Sequence, residues 1–173
     1  MGDPRTCNLL LAVNVSARQF RQADIVDQVR RALHEAGAPP ERLKLELTES
    51  LVLDDIEDTI DKMSAFRELG VGFSMDDFGT GYSCLSNLTR LPLDQLKIDR
   101  SFVRNLPDSP NDAAVIQTII TLSHSLGLSV IAEGVETEAQ RQFLERHGCP
   151  IYQGNLFSTP VAPAVFEQLL MRG

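Results

Sequence analysis

Acidic and amide side chains follow several short apolar runs of the chain, and their types suit the binding of a metal ion. The polar residues that share this placement are Asn14, Glu46, Asp76, Asp77, Lys97, Asp99, Glu133 and Gln153. The candidate ligands among them are carboxylates and the amide of Asn14, with no histidine. Oxygen ligands of this kind favour Mg²⁺ or Mn²⁺ over zinc, with Ca²⁺ as a competitor.

Four of these acids would repel one another strongly if the fold brought them together. Two carboxylates 4 Å apart repel by roughly 4 kcal/mol at an effective dielectric of 20. A cluster of Glu46, Asp76, Asp77 and Glu133 therefore requires cations. A single acid at a strand end is more often a solvated loop residue than a ligand, so only the repetition favours a metal site.

The adjacent pair Asp76 and Asp77 suits a site with two metal ions, in which one carboxylate bridges the ions and its neighbour completes a shell. Such sites support in-line attack on phosphodiesters. The alternative is a turn-forming pair ahead of Gly79. Lys97 also has two interpretations: it activates the attacking water or stabilises phosphate charge, or it forms a salt bridge to Asp99 or Glu133.

Strand and helix patterns alternate along the chain, and this alternation predicts how the polar residues are positioned. Short apolar runs predict strands over 9–15, 43–49, 71–77, 95–99, 128–134 and 149–154. Helical spacing predicts helices over 23–36, 55–69, 82–89, 111–126, 137–147 and 163–171. Six strand–helix units in succession predict an α/β fold with a parallel sheet.

Two architectures fit six units, an open doubly wound sheet and a β/α barrel. A complete barrel needs eight strands and typically about 250 residues, so the length of 173 residues favours the open sheet. The polar residues favour the barrel, because its strands converge at one mouth by their carboxyl ends. Alternation along the second strand also places Glu46 opposite Leu45 and Leu47, as expected for a side chain inside a barrel.

Composition narrows the class of protein. A hydrophobic content of 43% predicts one globular domain, and a net charge of −8 opposes binding to a nucleic acid polymer. Cys7, Cys84 and Cys149 form no CxxC pair, which indicates reduced thiols, and the chain shows neither a signal peptide nor a run of about 20 apolar residues. We therefore expect a soluble, cytoplasmic chain. The histidines fall in predicted helices and are expected to be structural: His34, His124 and His147.

Six motifs can be matched together in order and spacing. They are NVSARQ (14–19), ELTES (46–50), DDFGTGYSCL (76–85), LKIDRSFV (96–103), AEGVET (132–137) and YQGNLFSTP (152–160). Together they resemble the EAL phosphodiesterase domain along nearly the whole chain. The resemblance implies a TIM-type β/α barrel that hydrolyses cyclic di-GMP to linear pGpG with two Mg²⁺ or Mn²⁺ ions and is inhibited by Ca²⁺. It also implies a homodimer, attached sensory or diguanylate cyclase domains, and a full-length protein that can be membrane-attached.

The resemblance also implies a role for each matching residue. Glu49 corresponds to the second glutamate of the ELTE motif, which holds the 76–83 loop in place and links the metal site to the dimer interface. The implied metal ligands are Asn14, Glu46, Asp76, Asp77 and Glu133, with Asp77 on the second ion. The implied catalytic and supporting residues are Lys97, which helps to activate water, and Asp99, Glu136 and Gln153.

The main departure from the family pattern is at the front of the chain. The Glu-Ala-Leu motif of the first barrel strand and the whole second strand are absent, so we expect one N-terminally truncated domain over 1–173, with six of eight units. One metal ligand and a substrate-binding arginine are missing, and even an outer-shell defect costs 10- to 100-fold in metal affinity or activity. We therefore expect little activity from this chain alone, and a sheet edge exposed on each side of the gap. A fragment and a natural remnant fit equally well.

Two other functions remain to be separated from the enzyme. A non-catalytic module that binds cyclic di-GMP or acts in regulatory interactions would explain an incomplete metal site. A Mg²⁺-dependent barrel lyase or racemase, with Lys97 abstracting a proton, fits the polar residues alone. The six motifs oppose this last function.

Overall fold

The computed structural model describes residues 9–79 and 85–170, and its centre is a parallel sheet. The strands are β1 (Leu11–Asn14), β2 (Leu43–Thr48), β3 (Gly72–Phe78), β4 (Gln95–Ile98) and β5 (Ser129–Ala132). Every neighbouring pair is parallel, and the sheet order follows the chain order. A doubly wound sheet reverses its strand order at a switch point, whereas a barrel does not. The predicted parallel α/β fold is confirmed, and the strand order favours the barrel type.

Helices connect the strands. They are α1 (Ala17–Phe20), α2 (Ile25–Ala36), α3 (Glu49–Asp54), α4 (Ile56–Leu69), α5 (Leu85–Leu88), α6 (Arg100–Val103), α7 (Pro110–Ser125), α8 (Glu138–Arg146) and α9 (Pro163–Leu170). A 3₁₀ turn, Pro40–Arg42, precedes β2. Helices α2 and α4 end at Gly37 and Gly70, whose φ angles of 60° and 97° are the left-handed values that glycine adopts readily. These turns return the chain to the sheet at the start of the next strand.

Two predicted strands need correction, and two predicted helices lie only partly within the described residues. Strand β2 ends at Thr48, and Glu49, predicted in the strand, begins α3 instead. The predicted strand over 149–154 is reduced to a single bridge between Tyr152 and Ala132. Pro150 fixes its φ near −65° and carries no N–H, which opposes an extended ladder. Parts of the helices predicted over 82–89 and 163–171 lie outside the described residues, which contain α5 and α9 there.

The core lies between the sheet and its helices. Phe20 of α1 stacks on Phe66 of α4 with ring centroids 6.4 Å apart, and Phe66 meets Phe73 of β3 edge-on at 5.8 Å. All three rings are buried. Leu45 and Leu47 of β2 also belong to this core, so the alternating residue Glu46 points to the opposite face of the sheet.

The two ends of the sheet expose apolar side chains. All four residues of β1 are exposed, with Leu11 at 63%, and β1 pairs with β2 alone among the described strands. Beyond β5, Ile151 and Phe157 are exposed at 50% and 74%. Since a folded domain normally covers such groups, these ends are open edges of the described chain. Among the residues described, no helix has the length and apolar character needed to cross a membrane.

Candidate active site

A lysine side chain lies at the centre of three carboxylates. Lys97 of β4 is 3% exposed, and its Nζ lies 2.8 Å from Glu46 Oε2, 3.3 Å from Asp76 Oδ1 and 2.5 Å from Glu133 Oε1. The four residues come from four neighbouring strands or from the residue directly after one. The expected convergence at the carboxyl ends of the strands is therefore present for these side chains.

The sheet register explains this convergence. Glu46 is paired with Asn14 of β1 on one side and with Ser74 of β3 on the other. Lys97 pairs with Ile131 of β5, and the N–H of Glu133 donates to the carbonyl of Ile98 at 3.1 Å. Side chains alternate along a strand, so Glu46 and Lys97 project from one face of the sheet and their apolar neighbours project from the other.

A β-bulge positions the two adjacent aspartates. The register between β3 and β4 shifts between Met75 and Phe78, and Asp77 has a φ of 55°. The N–H of Asp77 donates to Asp76 Oδ1 at 3.0 Å, and aspartate tolerates the left-handed conformation better than most residues. A bulge re-aims side chains that would otherwise alternate. Asp76 consequently reaches Lys97, while Asp77 lines the neighbouring cleft with Asp99.

Opposing effects set the charges of the cluster. Burial alone would lower the pKa of Lys97, but hydrogen bonds to Glu133 and Glu46 and the charges of Glu133 and Asp76 outweigh it and raise that pKa. The pKa of Glu133 is raised, first by burial and then by the charges of Asp76 and Glu46, against the opposing effect of Lys97. One ammonium group therefore stays charged but does not offset all the surrounding carboxylates.

Asp77 and Asp99 form a second, coupled pair. Burial raises the pKa of Asp77, and the charges of Asp76 and Asp99 and a hydrogen bond to Asp99 raise it further. Burial opposes the shift of Asp99, but hydrogen bonds from Ser101, Arg100 and Asp77 lower its pKa. The Asp99 carboxylate also caps α6 by accepting the N–H of Ser101 at 2.9 Å. Asp99 is thus held as an anion, and Asp77 is the member of the pair that takes up a proton.

The chemistry of this donor set fits a hard divalent cation. Glu46, Asp76, Asp77 and Glu133 offer carboxylate oxygens and carry more negative charge than Lys97 balances. In the described ranges 9–79 and 85–170, no group of three or more His, Cys, Asp or Glu side chains surrounds a common cation position. The acids are gathered on the Lys97 ammonium instead.

An open cleft of about 750 Å³ lies beside the cluster. Its polar lining includes Asp77, Asp99, Glu133, Glu136 and Gln153. The exposed rings of Phe157 and Phe166 line its apolar side. A cleft with a carboxylate-rich floor and an aromatic wall suits a ligand that has both polar and flat apolar parts.

Glu49, at the start of α3, contacts the backbone directly after β3. Its side chain is 3% exposed, and its Oε2 accepts the N–H of Gly79 at 3.2 Å. Its Oε1 is buried and has no hydrogen-bond partner among the described residues. Residues 80–84 lie outside the described part of the chain, so the expected anchoring of the 76–83 loop by Glu49 stays a prediction.

Residues 2–160 match the sequence profile of the family described as EAL domain. The chain belongs to the EAL domain family. Cyclic di-GMP phosphodiesterase NbdA of Pseudomonas aeruginosa is 48% identical over 162 residues, which cover 94% of this chain and 21% of NbdA. The chain spans about a fifth of the length of the curated relatives it matches.

Solved EAL structures carry the same fold. The MucR phosphodiesterase of Pseudomonas aeruginosa in complex with c-di-GMP superposes with a TM-score of 0.87 at 46% identity, covering 92% of this chain and 64% of that one. BlrP1 of Klebsiella pneumoniae in a manganese and cy-diGMP complex gives 0.81 at 34% identity, covering 87% and 39%. The EAL domain described here therefore has the TIM-like barrel type of fold, and the BlrP1 complex holds manganese together with the cyclic dinucleotide.

The EAL domain places the expected site residues in two groups. The first group contacts or surrounds the Lys97 ammonium: Glu46, Asp76 and Glu133. The second group lines the adjacent cleft: Asp77, Asp99, Glu136 and Gln153. Asn14 is exposed at the end of β1, in register with Glu46, and lies outside the residues that line the cleft.

The remaining sequence expectations concern cysteine and histidine. Cys149 is buried, and its burial raises the pKa of the thiol to about 11. Cys7 and Cys84 lie outside the described residues. His34 and His124 lie in α2 and α7, and His147 caps the C-terminal end of α8, in agreement with their expected placement in helices.

Sequence reasoning missed three residues that shape the cleft. Arg100 and Gly134 line it, and Gln140 is a buried amide that ties the segment after β5 to α6. The position of Arg100 directly after Asp99 in the LKIDRSFV motif was the available signal. The spacing of Thr137 and Gln140 is the capping-box signal for the start of α8, whereas the contact of Gln140 with the Arg104 carbonyl depends on the tertiary structure.

Proposed function

We propose that this EAL domain hydrolyses cyclic di-GMP to linear pGpG. The observation that carries the proposal is the placement of the buried Lys97 ammonium within 3.3 Å of carboxylates from three neighbouring strands, beside an open cleft. The names of NbdA and of the MucR complex support the same substrate. Carboxylates held this close repel one another, so the cluster does not favour folding unless cations offset its charge.

The acids of the cluster would hold two Mg²⁺ or Mn²⁺ ions, with Ca²⁺ as an inhibitor. The proposed ligands are Asn14, Glu46, Asp76, Asp77 and Glu133, with Asp77 on the second ion. Bound divalent ions offset phosphate charge and lower the pKa of a bound water. The manganese and calcium complexes of BlrP1 support divalent ions in this family.

The chain's own residues supply orientation and charge. The Lys97 ammonium, which stays protonated at neutral pH, orients the attacking water and stabilises charge on the phosphate. Asp99, Glu136 and Gln153 contact the ligand from the cleft wall. Glu49 holds the backbone at Gly79 through one hydrogen bond, so a change in this contact alters the end of the strand that carries Asp76 and Asp77.

We further propose that residues 1–173 form one domain with six of the eight units of a barrel. The exposed apolar residues at β1 and after β5 support a gap between these edges. We also propose that the 76–83 loop forms a homodimer contact and that sensory or cyclase domains control the activity. The full-length protein belongs to the cytoplasm and can be membrane-attached. The name of MucR, a bifunctional diguanylate cyclase and phosphodiesterase, supports such fusions.

The test compares this chain with a form extended upstream through two more strand–helix units. Each is incubated with cyclic di-GMP and Mn²⁺, and pGpG is followed by chromatography. Hydrolysis by the extended form that Glu46→Ala abolishes supports the enzyme. Binding without turnover in both forms overturns it in favour of the non-catalytic binding module.

A further inference from the structure

Arginine is the unexpected residue type in the acidic cleft. A second compartment of about 720 Å³ continues the cleft, and its charged lining residues are Asp77, Asp99, Arg100, Arg104 and Glu136. Arg100 lines both the cleft and the second compartment, whereas Arg104 lines the second compartment alone. Among the described residues, Arg100 is thus the cationic residue that lines both compartments.

The Arg100 side chain is not used by the fold. Among the described residues it takes part in no ion pair or side-chain hydrogen bond. Two of the nearby acids are already engaged, since Asp99 accepts from Ser101 and Glu133 accepts from Lys97. An arginine without an internal partner in a ligand-sized cleft retains its donors for a ligand.

The backbone that carries Arg100 is fixed by close packing. A Cβ on Gly134, whose φ is 67°, would lie 2.6 Å from the Cβ of Arg100, so only glycine allows this approach. The buried Gln140 accepts the N–H groups of Glu136 and Thr137 at 2.8 and 3.0 Å and donates to the carbonyl of Arg104 at 3.3 Å. These contacts hold α6 against the segment that carries Glu133 and Glu136.

We propose that Arg100 binds the phosphodiester of cyclic di-GMP that is not being cut, an inference that rests on the proposed function. A cyclic dinucleotide has two phosphodiesters, and the one undergoing hydrolysis lies at the cluster around Lys97. The other then lies in a cleft whose remaining charges are mostly acidic and would repel it. A guanidinium presents two parallel N–H donors that match two phosphate oxygens, which makes Arg100 a specificity residue for a doubly charged cyclic substrate.

The experiment measures binding of cyclic di-GMP and of cyclic di-AMP by calorimetry in the presence of Ca²⁺. It uses this chain or the extended form, whichever binds cyclic di-GMP. Arg100→Ala should weaken both ligands by the same factor, roughly 10- to 100-fold, because both carry the same phosphodiesters. Arg100→Lys, which keeps the charge without the paired donors, should give a smaller loss. Arg31→Ala removes an equal charge from the exposed surface of α2 and should leave both affinities unchanged.

The outcomes separate this inference from the proposed function. A loss confined to cyclic di-GMP overturns the phosphate contact and makes Arg100 a reader of the guanine base. Unchanged affinity in Arg100→Ala also overturns it, while the hydrolysis test on Glu46 still supports the enzyme. If the wild-type protein binds neither ligand, the proposed function fails and the inference fails with it.

Discussion

Replacement of Lys97 by methionine removes the charge at the centre of the cluster while keeping a side chain of similar length. Each of its three ion contacts, at 2.8, 3.3 and 2.5 Å, represents roughly 5–7 kcal/mol of attraction at an effective dielectric of 20. Most of this is offset by the cost of removing the charges from water. Loss of one partner from a buried pair nevertheless costs about 3–5 kcal/mol, because the remaining charges stay buried.

The loss depends on pH in a defined direction. The pKa of Lys97 is raised in the folded state, so its contribution is complete below its unfolded pKa and is lost only as the pH rises through the folded value. The pKa of Glu133 is already raised, and removal of Lys97 raises it further. An acid whose pKa is raised on folding destabilises the fold when it is ionised. Below its folded pKa it takes up a proton, and this destabilisation is relieved. The deficit of Lys97→Met should therefore shrink as the pH falls from about 7.5 to about 5.

Urea unfolding followed by circular dichroism at both pH values measures this deficit. Lys62→Met is the matched control, because Lys62 pairs with Asp58 at 2.7 Å within one helix, α4. This variant should lower the free energy of unfolding by about 0.5 kcal/mol or less. A Lys97→Met protein within about 1 kcal/mol of wild type near neutral pH would refute the reasoning. So would a deficit that stays constant or grows as the pH falls.

Three further predictions concern the core, the cleft and the thiols. Phe66→Ala should lower the free energy of unfolding by about 3–5 kcal/mol, because it empties the centre of an aromatic cluster, whereas Leu11→Ala on the exposed strand β1 should change it by about 0.5 kcal/mol or less in the same urea titration. Gln140→Ala should cost about 1–3 kcal/mol in urea unfolding, since it leaves three part-buried backbone groups without this partner; a cost below about 0.5 kcal/mol would contradict this. Cys149 should resist iodoacetamide in the native state near pH 8 and react on unfolding, as checked by peptide mass spectrometry, because burial raises its pKa to about 11; rapid native labelling would contradict the assigned burial.

Much of the site could be predicted because alternation and chain order act locally. Glu46 lies between two apolar residues of a strand, and Lys97 lies likewise between Leu96 and Ile98, so the strand pattern alone directs both side chains inward. Parallel strands in sequence order then bring their carboxyl ends together. The meeting of Glu46, Lys97 and Glu133 follows from these two facts.

Other features depend on contacts that no local pattern records. The bulge at Asp76 and Asp77 arises from the register between β3 and β4, and it decides that adjacent acids reach different parts of the site. The sequence left open whether Lys97 pairs with Asp99 or with Glu133. The structure shows the ion pair with Glu133, whereas the Asp99 carboxylate caps α6. The segment around Tyr152 had a strand-like composition, yet it forms one bridge.

The most direct test of the account is a comparison of two glutamine variants in the extended protein, with pGpG formation from cyclic di-GMP and Mn²⁺ as the readout. Glu133→Gln removes one carboxylate from the cluster, and Glu138→Gln removes one from the exposed surface of α8. We expect Glu133→Gln to lower the rate by at least 10- to 100-fold and Glu138→Gln to leave it unchanged. Equal rates for wild type and both variants would contradict the claim that the acids around Lys97 form the active site.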